Sequence, residues 1–131
     1  MIDIAVYAGE DPISIHDISV REGISERYLE QLMVPLKKKK LIVSQRGAKG
    51  GYRLARPADE ISIGDILRAL EGNLNPVDCK VFMEEDCEVE NDCIMRFVWN
   101  RISEGINRAV DSLYLQDLVE RCDGVIEGCD L

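Results

Sequence analysis

With 131 residues, 46% of them apolar, the chain has material for one packed core, and its 16 basic and 25 acidic residues leave it at −9 near neutral pH. No apolar run reaches the roughly 18 residues that a membrane span needs, and the N-terminal MIDIAVYAGE has neither the basic segment nor the cleavage site of an export signal. Five cysteines, an odd count, suit a reducing cytoplasm better than a closed disulfide framework.

Met1 to Ala8 reads as the last turn or two of a helix, ended by Gly9 and Pro12. Ser14 is placed to cap a second helix carrying Ile15 and Ile18, stopped at Gly23. After the tight turn Gly23-Ile24-Ser25, Ser25 caps a third helix. Its Leu29, Leu32, Met33 and Leu36 recur at spacings of three and four, one buried stripe, and Pro35 should bend it. Two short helices across a glycine-containing turn are the helix-turn-helix signature. Leu41 to Arg46 and Tyr52 to Ala55 read as two strands, hinged by Gly47-Ala48-Lys49-Gly50-Gly51. Glycines there permit positive backbone angles and close approach to another surface. Ser62-Ile63-Gly64-Asp65 forms a capping box with aspartate in place of glutamate. The helix it opens turns Ile63, Ile66, Leu67 and Leu70 inward, and Gly72 closes it.

Asn73 to Asp92 has no clear period, and a stretch of that length in a compact domain is functional or disordered. It holds Cys79 and Cys87, with Cys93 at its end, amid seven acids and the single Lys80. From Ile94 to Val110 a long helix carries an apolar seam of Ile94, Phe97, Val98, Ile102, Ile106, Ala109 and Val110, suited to pairing with a second copy of itself. Trp99 reads as its core anchor. Asp111-Ser112 breaks the chain, Leu115 to Val119 makes a last short helix, and the tail from Arg121, with Cys122 and Cys129, looks loosely ordered.

Residues 21 to 56 hold ten Lys or Arg against three acids (Glu22, Glu26, Glu30), a local balance of +7 in an acidic chain. Phosphates feel such a patch more than distant acids beyond a Debye length of about 8 Å, so the expected partner is a polyanion and the layout is that of a winged helix-turn-helix on DNA. The candidate interface is Ser25, Arg27, Tyr28, Glu30 and Gln31 on the third helix, with Arg46, Gly47, Lys49, Gly50, Gly51 and Tyr52 on the ribbon. Gln can pair with adenine and Glu can accept from cytosine N4, the latter acting as a selector. Arg27, Lys37 to Lys40, Arg46, Lys49 and Arg53 suit phosphates or, for Arg46, a narrow minor groove. The lone His16 reads as a surface residue. No nucleophile elbow or phosphate loop is present, and nothing supports an enzyme.

SERYLEQLMVPLKKKKLIVSQRGAKGGYRLARP, followed by ISIGDILRALEG and a three-cysteine loop, closely resembles the bacterial IscR/NsrR/CymR family of winged-helix repressors, the Rrf-two family. The resemblance implies a mainly α fold with a small β-wing. Residues 1–72 would be the winged helix-turn-helix domain with a shortened first helix, 73–93 the cysteine loop, and 94–131 the dimerisation helix and C-terminal tail. It implies a homodimer on a palindromic operator, the third helix in the major groove and the wing on the minor groove or backbone. Many members hold an iron–sulfur cluster, 2Fe–2S in type, in the cysteine loop, which here would use Cys79, Cys87 and Cys93. Candidates for a fourth ligand include Asp86, Glu90, Asp92, a partner-subunit residue or an upstream residue. The alternative within the family is a CymR-like regulator of sulfur metabolism without a cluster, acting through a metabolic-enzyme partner. Three departures stand out. The family begins about a dozen residues earlier. It often has glycine where this chain has Lys40, so the third helix must end without the usual cap residue. IscR-like members have histidine where this chain has Arg96.

Overall fold

A computed structural model describes residues 1–76 and 94–125 of the chain. Helices α1 (Ile2–Tyr7), α2 (Ile15–Glu22) and α3 (Glu26–Lys38) come first, followed by strands β1 (Ile42–Gln45) and β2 (Gly51–Leu54). A 3-10 turn (Ala58–Glu60) leads into α4 (Ile63–Glu71), and α5 (Ile94–Asp111) and α6 (Leu115–Val125) complete the order. The fold is mainly helical with one small antiparallel sheet, as the sequence implied.

Both expected serine caps are made. Ser14 Oγ accepts from the Asp17 N–H at 3.1 Å, and Ser25 Oγ accepts from the Tyr28 N–H at 3.3 Å. Between the two helices Gly23 takes the left-handed conformation, φ 64°, and the Ser19 hydroxyl donates to the Ile24 carbonyl at 2.6 Å. α3 buries Leu29, Met33 and Leu36, leaves Leu32 half-buried, and continues through Pro35 to Lys38. Its end is a Schellman closure: the Lys40 N–H donates to the Lys37 carbonyl and the Leu41 N–H to the Leu36 carbonyl, both at 3.0 Å. Lys40 itself supplies the left-handed residue, at φ 58°, where a glycine is usual.

β1 and β2 pair antiparallel, Ile42 with Leu54 through Gln45 with Gly51. The α1–α2 connection adds a one-residue bridge, the Ile13 N–H donating to the Tyr52 carbonyl at 3.0 Å and the Tyr52 N–H to the Ile13 carbonyl at 2.7 Å. Gly51 is what allows this approach, since a Cβ there would collide with the Ile13 carbonyl.

The Ser62/Asp65 capping box opens α4 in both directions, at 3.0 and 3.3 Å. A second bridge fastens the α5–α6 connection to the entry of α4: the Ile63 N–H donates to the Leu113 carbonyl and the Leu115 N–H to the Ile61 carbonyl, both at 2.8 Å. Leu115 is thereby fully buried with Ile4, Leu41, Ile42 and Ile61 in one core. α6 packs on α1 and on the 3-10 turn. That packing carries the helix to Val125, so Arg121 and Cys122 are helical rather than part of the loosely ordered tail the local composition suggested.

α1 is tied to α2 by Arg21, which donates to both oxygens of the buried Asp3 at 2.8 and 3.0 Å and lies over the Tyr7 ring at 4.3 Å. α5 behaves differently. None of its residues is buried: Ile94, Met95, Phe97, Val98 and Ile102 are exposed, Phe97 to 67%, and Ile106 and Val110 are half-buried. Trp99, expected as a core anchor, is also only half-buried.

Candidate nucleic-acid interface

An α-helix turns about 100° per residue, so the buried line of Leu29, Met33 and Leu36 fixes what faces outward on α3. The opposite line is Arg27, Gln31, Val34 and Lys38, all exposed, with Tyr28 and Glu30 flanking it on either side. Arg27 suits guanine or phosphate, Gln31 adenine, and Glu30 cytosine N4. Val34, 68% exposed, adds an apolar group of the kind that meets a thymine methyl. Reasoning from polarity passed over Val34; its place three residues after Gln31 and seven after Arg27 was the available signal. The Ser25 hydroxyl is engaged in capping at the head of this helix.

The sequence-derived ribbon residues fall into two groups. Arg46, Gly47 and Lys49 are exposed at the tip, where Gly47 has φ 116° and the Gly50 N–H donates to the Gly47 carbonyl at 2.9 Å. Gly50, Gly51 and Tyr52 are half-buried at the base. A Cβ on Gly50 would strike the Gln45 carbonyl, and Tyr52 packs against the core, so these three shape the wing.

The basic residues divide in the same way. Arg21 and Arg56 face Asp3 and Asp65, and the Lys37 ammonium donates to the Ser44 hydroxyl at 2.5 Å. Arg27, Lys38, Lys39, Arg46, Lys49 and Arg53 are exposed on α3, its C-terminal end and the wing, and they carry the positive face. At the leading end of α3, Glu26 Oε1 lies 2.7 Å from Nδ1 of His16 on α2. That hydrogen bond, with the carboxylate charge behind it, raises the His16 pKa above its ordinary 6.5.

Behind this candidate face, α3 packs on α4, and α4 is joined to α5. Arg68 donates to both oxygens of Asp111 and to Asn107, and Gly64 leaves the room, because a Cβ there would collide with the Asp111 carboxylate.

Among the described residues no group of three or more His, Cys, Asp or Glu side chains is arranged to hold a metal ion. Cys79, Cys87, Cys93 and Cys129 lie outside the described residues, as do Asp86, Glu90 and Asp92. Nor is any described helix long and apolar enough to cross a membrane.

Residues 1–121 match the family model Rrf2, described as an iron-dependent transcriptional regulator. The chain is 40% identical over 121 residues to protein rrf2 of Nitratidesulfovibrio vulgaris, covering 91% of this chain and 79% of that one. It is 35% identical over 126 residues to the HTH-type transcriptional regulator IscR of Serratia proteamaculans, 96% of this chain and 76% of the relative. Among solved structures, CymR, the global cysteine regulator of B. subtilis, superposes with a TM-score of 0.74 at 40% identity, covering 92% of this chain and 87% of that one. T. potens IscR gives a TM-score of 0.72 at 37% identity, covering 92% and 78%. With a helix-turn-helix, a β-wing and relatives that are regulators rather than enzymes, the chain belongs to the Rrf2 family of transcriptional regulators.

Proposed function

We propose that this protein is a homodimeric repressor that reads a palindromic DNA operator with α3 and the wing of each protomer. The observation that carries the reading is the outward line Arg27, Gln31, Val34 and Lys38, base-reading and phosphate-binding groups on the one face of α3 the core leaves open. The apolar side chains that α5 leaves exposed among the described residues, Phe97 and Ile102 among them, support dimerisation through that helix. A dimer contacting about eight phosphates should show a log–log salt slope near −7. A slope shallower than about −2 in a titration with duplex DNA would rule the reading out.

Control by an iron–sulfur cluster or by thiol redox state is the finer part of the proposal. The donor chemistry fits three of the four positions of a two-iron cluster, through the thiolates of Cys79, Cys87 and Cys93. His16 is engaged by Glu26 beside α3, and the Arg96 guanidinium has no lone pair to offer, so the fourth ligand comes from elsewhere. Bound there, a cluster supplies a redox-active group close in sequence to the start of α5. The second reading, a cluster-free regulator acting through a metabolic-enzyme partner, draws on the likeness to CymR as the first draws on the likeness to IscR. Anaerobic purification with iron and sulfide assays and a visible spectrum separates the two. Under the first reading Cys79→Ala, Cys87→Ala or Cys93→Ala each abolishes the coloured species, while Cys122→Ala and Cys129→Ala leave it. Colourless, iron-free wild-type protein leaves the second reading.

A further inference from the structure

His16 and Glu26 bridge the two helices of the helix-turn-helix at the leading end of α3, with Nδ1 and Oε1 2.7 Å apart and side chains 71% and 48% exposed. Glu26 immediately precedes Arg27, the first residue of the outward line. At a helix N-terminus a carboxylate is favourable in the isolated protein, but against a phosphate backbone the same charge is repulsive. A protonated imidazole in contact with it cancels that repulsion. We propose that His16 is a positioning residue for the DNA interface, binding a proton that neutralises Glu26 as DNA approaches, so that operator affinity rises as pH falls. The inference rests on the reading of α3 as the DNA-facing helix.

The groups acting on the imidazole are Glu26 from α3 and Asp17 from α2, the latter's carboxylate accepting from the Ser14 hydroxyl at 2.7 Å. Both are anionic and both favour the protonated ring, and phosphate adds a third anion. The imidazole pKa therefore rises further in the complex. Binding then takes up a proton: affinity is greatest below the pKa of the uncomplexed protein and declines as pH rises through the pKa of the complex. His16 is the chain's only histidine, which leaves the assignment clean. Among the described residues the Met1 amine, lowered from its ordinary 8.0 by burial, is also brought toward this range, and substituting His16 distinguishes it.

The test is fluorescence anisotropy at constant ionic strength between about pH 6 and about pH 8.5. Its probe is a labelled duplex recovered by the wild-type protein from a random-sequence pool. Wild-type affinity should fall about tenfold or more across the range. His16→Gln, which keeps a hydrogen bond but no charge, should be flat and as weak as wild type at the alkaline end. His16→Lys should be flat and tight, and Glu26→Gln should bind tightly at the alkaline end. Both residues are exposed, so these variants leave the core untouched. A pH-independent wild type, or a His16→Gln variant that keeps the wild-type profile, overturns the inference while leaving the DNA reading intact. Absence of binding at every pH overturns both.

Discussion

Arg68 grips Asp111 with both terminal nitrogens, at 2.7 and 2.8 Å, across the junction of α4 and α5. Because α4 packs on α3, the pair joins the proposed dimer helix to the proposed recognition helix through one intermediate element. Arg68→Met should leave the dimer intact in sedimentation velocity while lowering operator affinity about tenfold, the scale of coupling between linked sites. A variant that loses dimer and DNA binding together would mean that the pair serves folding rather than alignment.

The same pair sets a pH dependence of stability. The hydrogen bonds from Arg68 hold the Asp111 carboxyl below its ordinary 3.8. A depressed carboxyl stabilises fully above its unfolded value and loses that contribution as pH falls through its folded value. Urea midpoints of wild type and Asp111→Asn should therefore differ most near neutrality and converge as pH falls below the ordinary carboxyl value of 3.8. A constant gap across that range would break the linkage.

Two wing glycines should separate folding from binding. Gly51→Ala drives a Cβ into the Ile13 carbonyl and should cost about 2–3 kcal/mol in denaturant unfolding. Gly47→Ala meets open space and pays only for its left-handed conformation, about 1–2 kcal/mol. The Gly47 variant should remain folded and show its effect in DNA affinity.

Lys40→Gly should stabilise the protein by about 1 kcal/mol, because φ 58° strains a residue with a Cβ and suits glycine. Thermal unfolding is the measurement, and an unchanged or lower midpoint would show that the lysine stem offsets the strain by packing.

Ile102→Asp should give a monomer in sedimentation velocity and abolish operator binding. A charge in the proposed α5 interface would be buried unpaired at several kcal/mol per site. A dimer that survives the change would place the interface elsewhere.

Much of this fold could be read locally. Ser14, Ser25 and the Ser62/Asp65 box cap helices as their side-chain chemistry requires, and the ribbon glycines divide into one positive φ and two close approaches. What escaped depended on partners far along the chain. The length of α6 is set by α1, the room at Gly64 is needed for Asp111, and His16 meets Glu26 only once α2 and α3 have folded together. In the proposed interface, polarity pointed to Gln31 and Arg27, but the exposed face of α3 could be drawn only after its buried line was known, and so Val34 was not among the candidates.

The bridge between Ile61–Ile63 and Leu113–Leu115 has a consequence for synthesis. Among the described residues, Leu115 is fully buried in a core whose other buried side chains come from the first 66 residues, so those residues cannot complete this packing before Leu115 is made. Their packing must wait for Leu115 to be made. A nascent helix-turn-helix with an open core would not be rigid enough to hold α3 and the wing in register. The chain would thus become competent for DNA only after Leu115 has been made and has packed, and products truncated before it would lack a finished reading head.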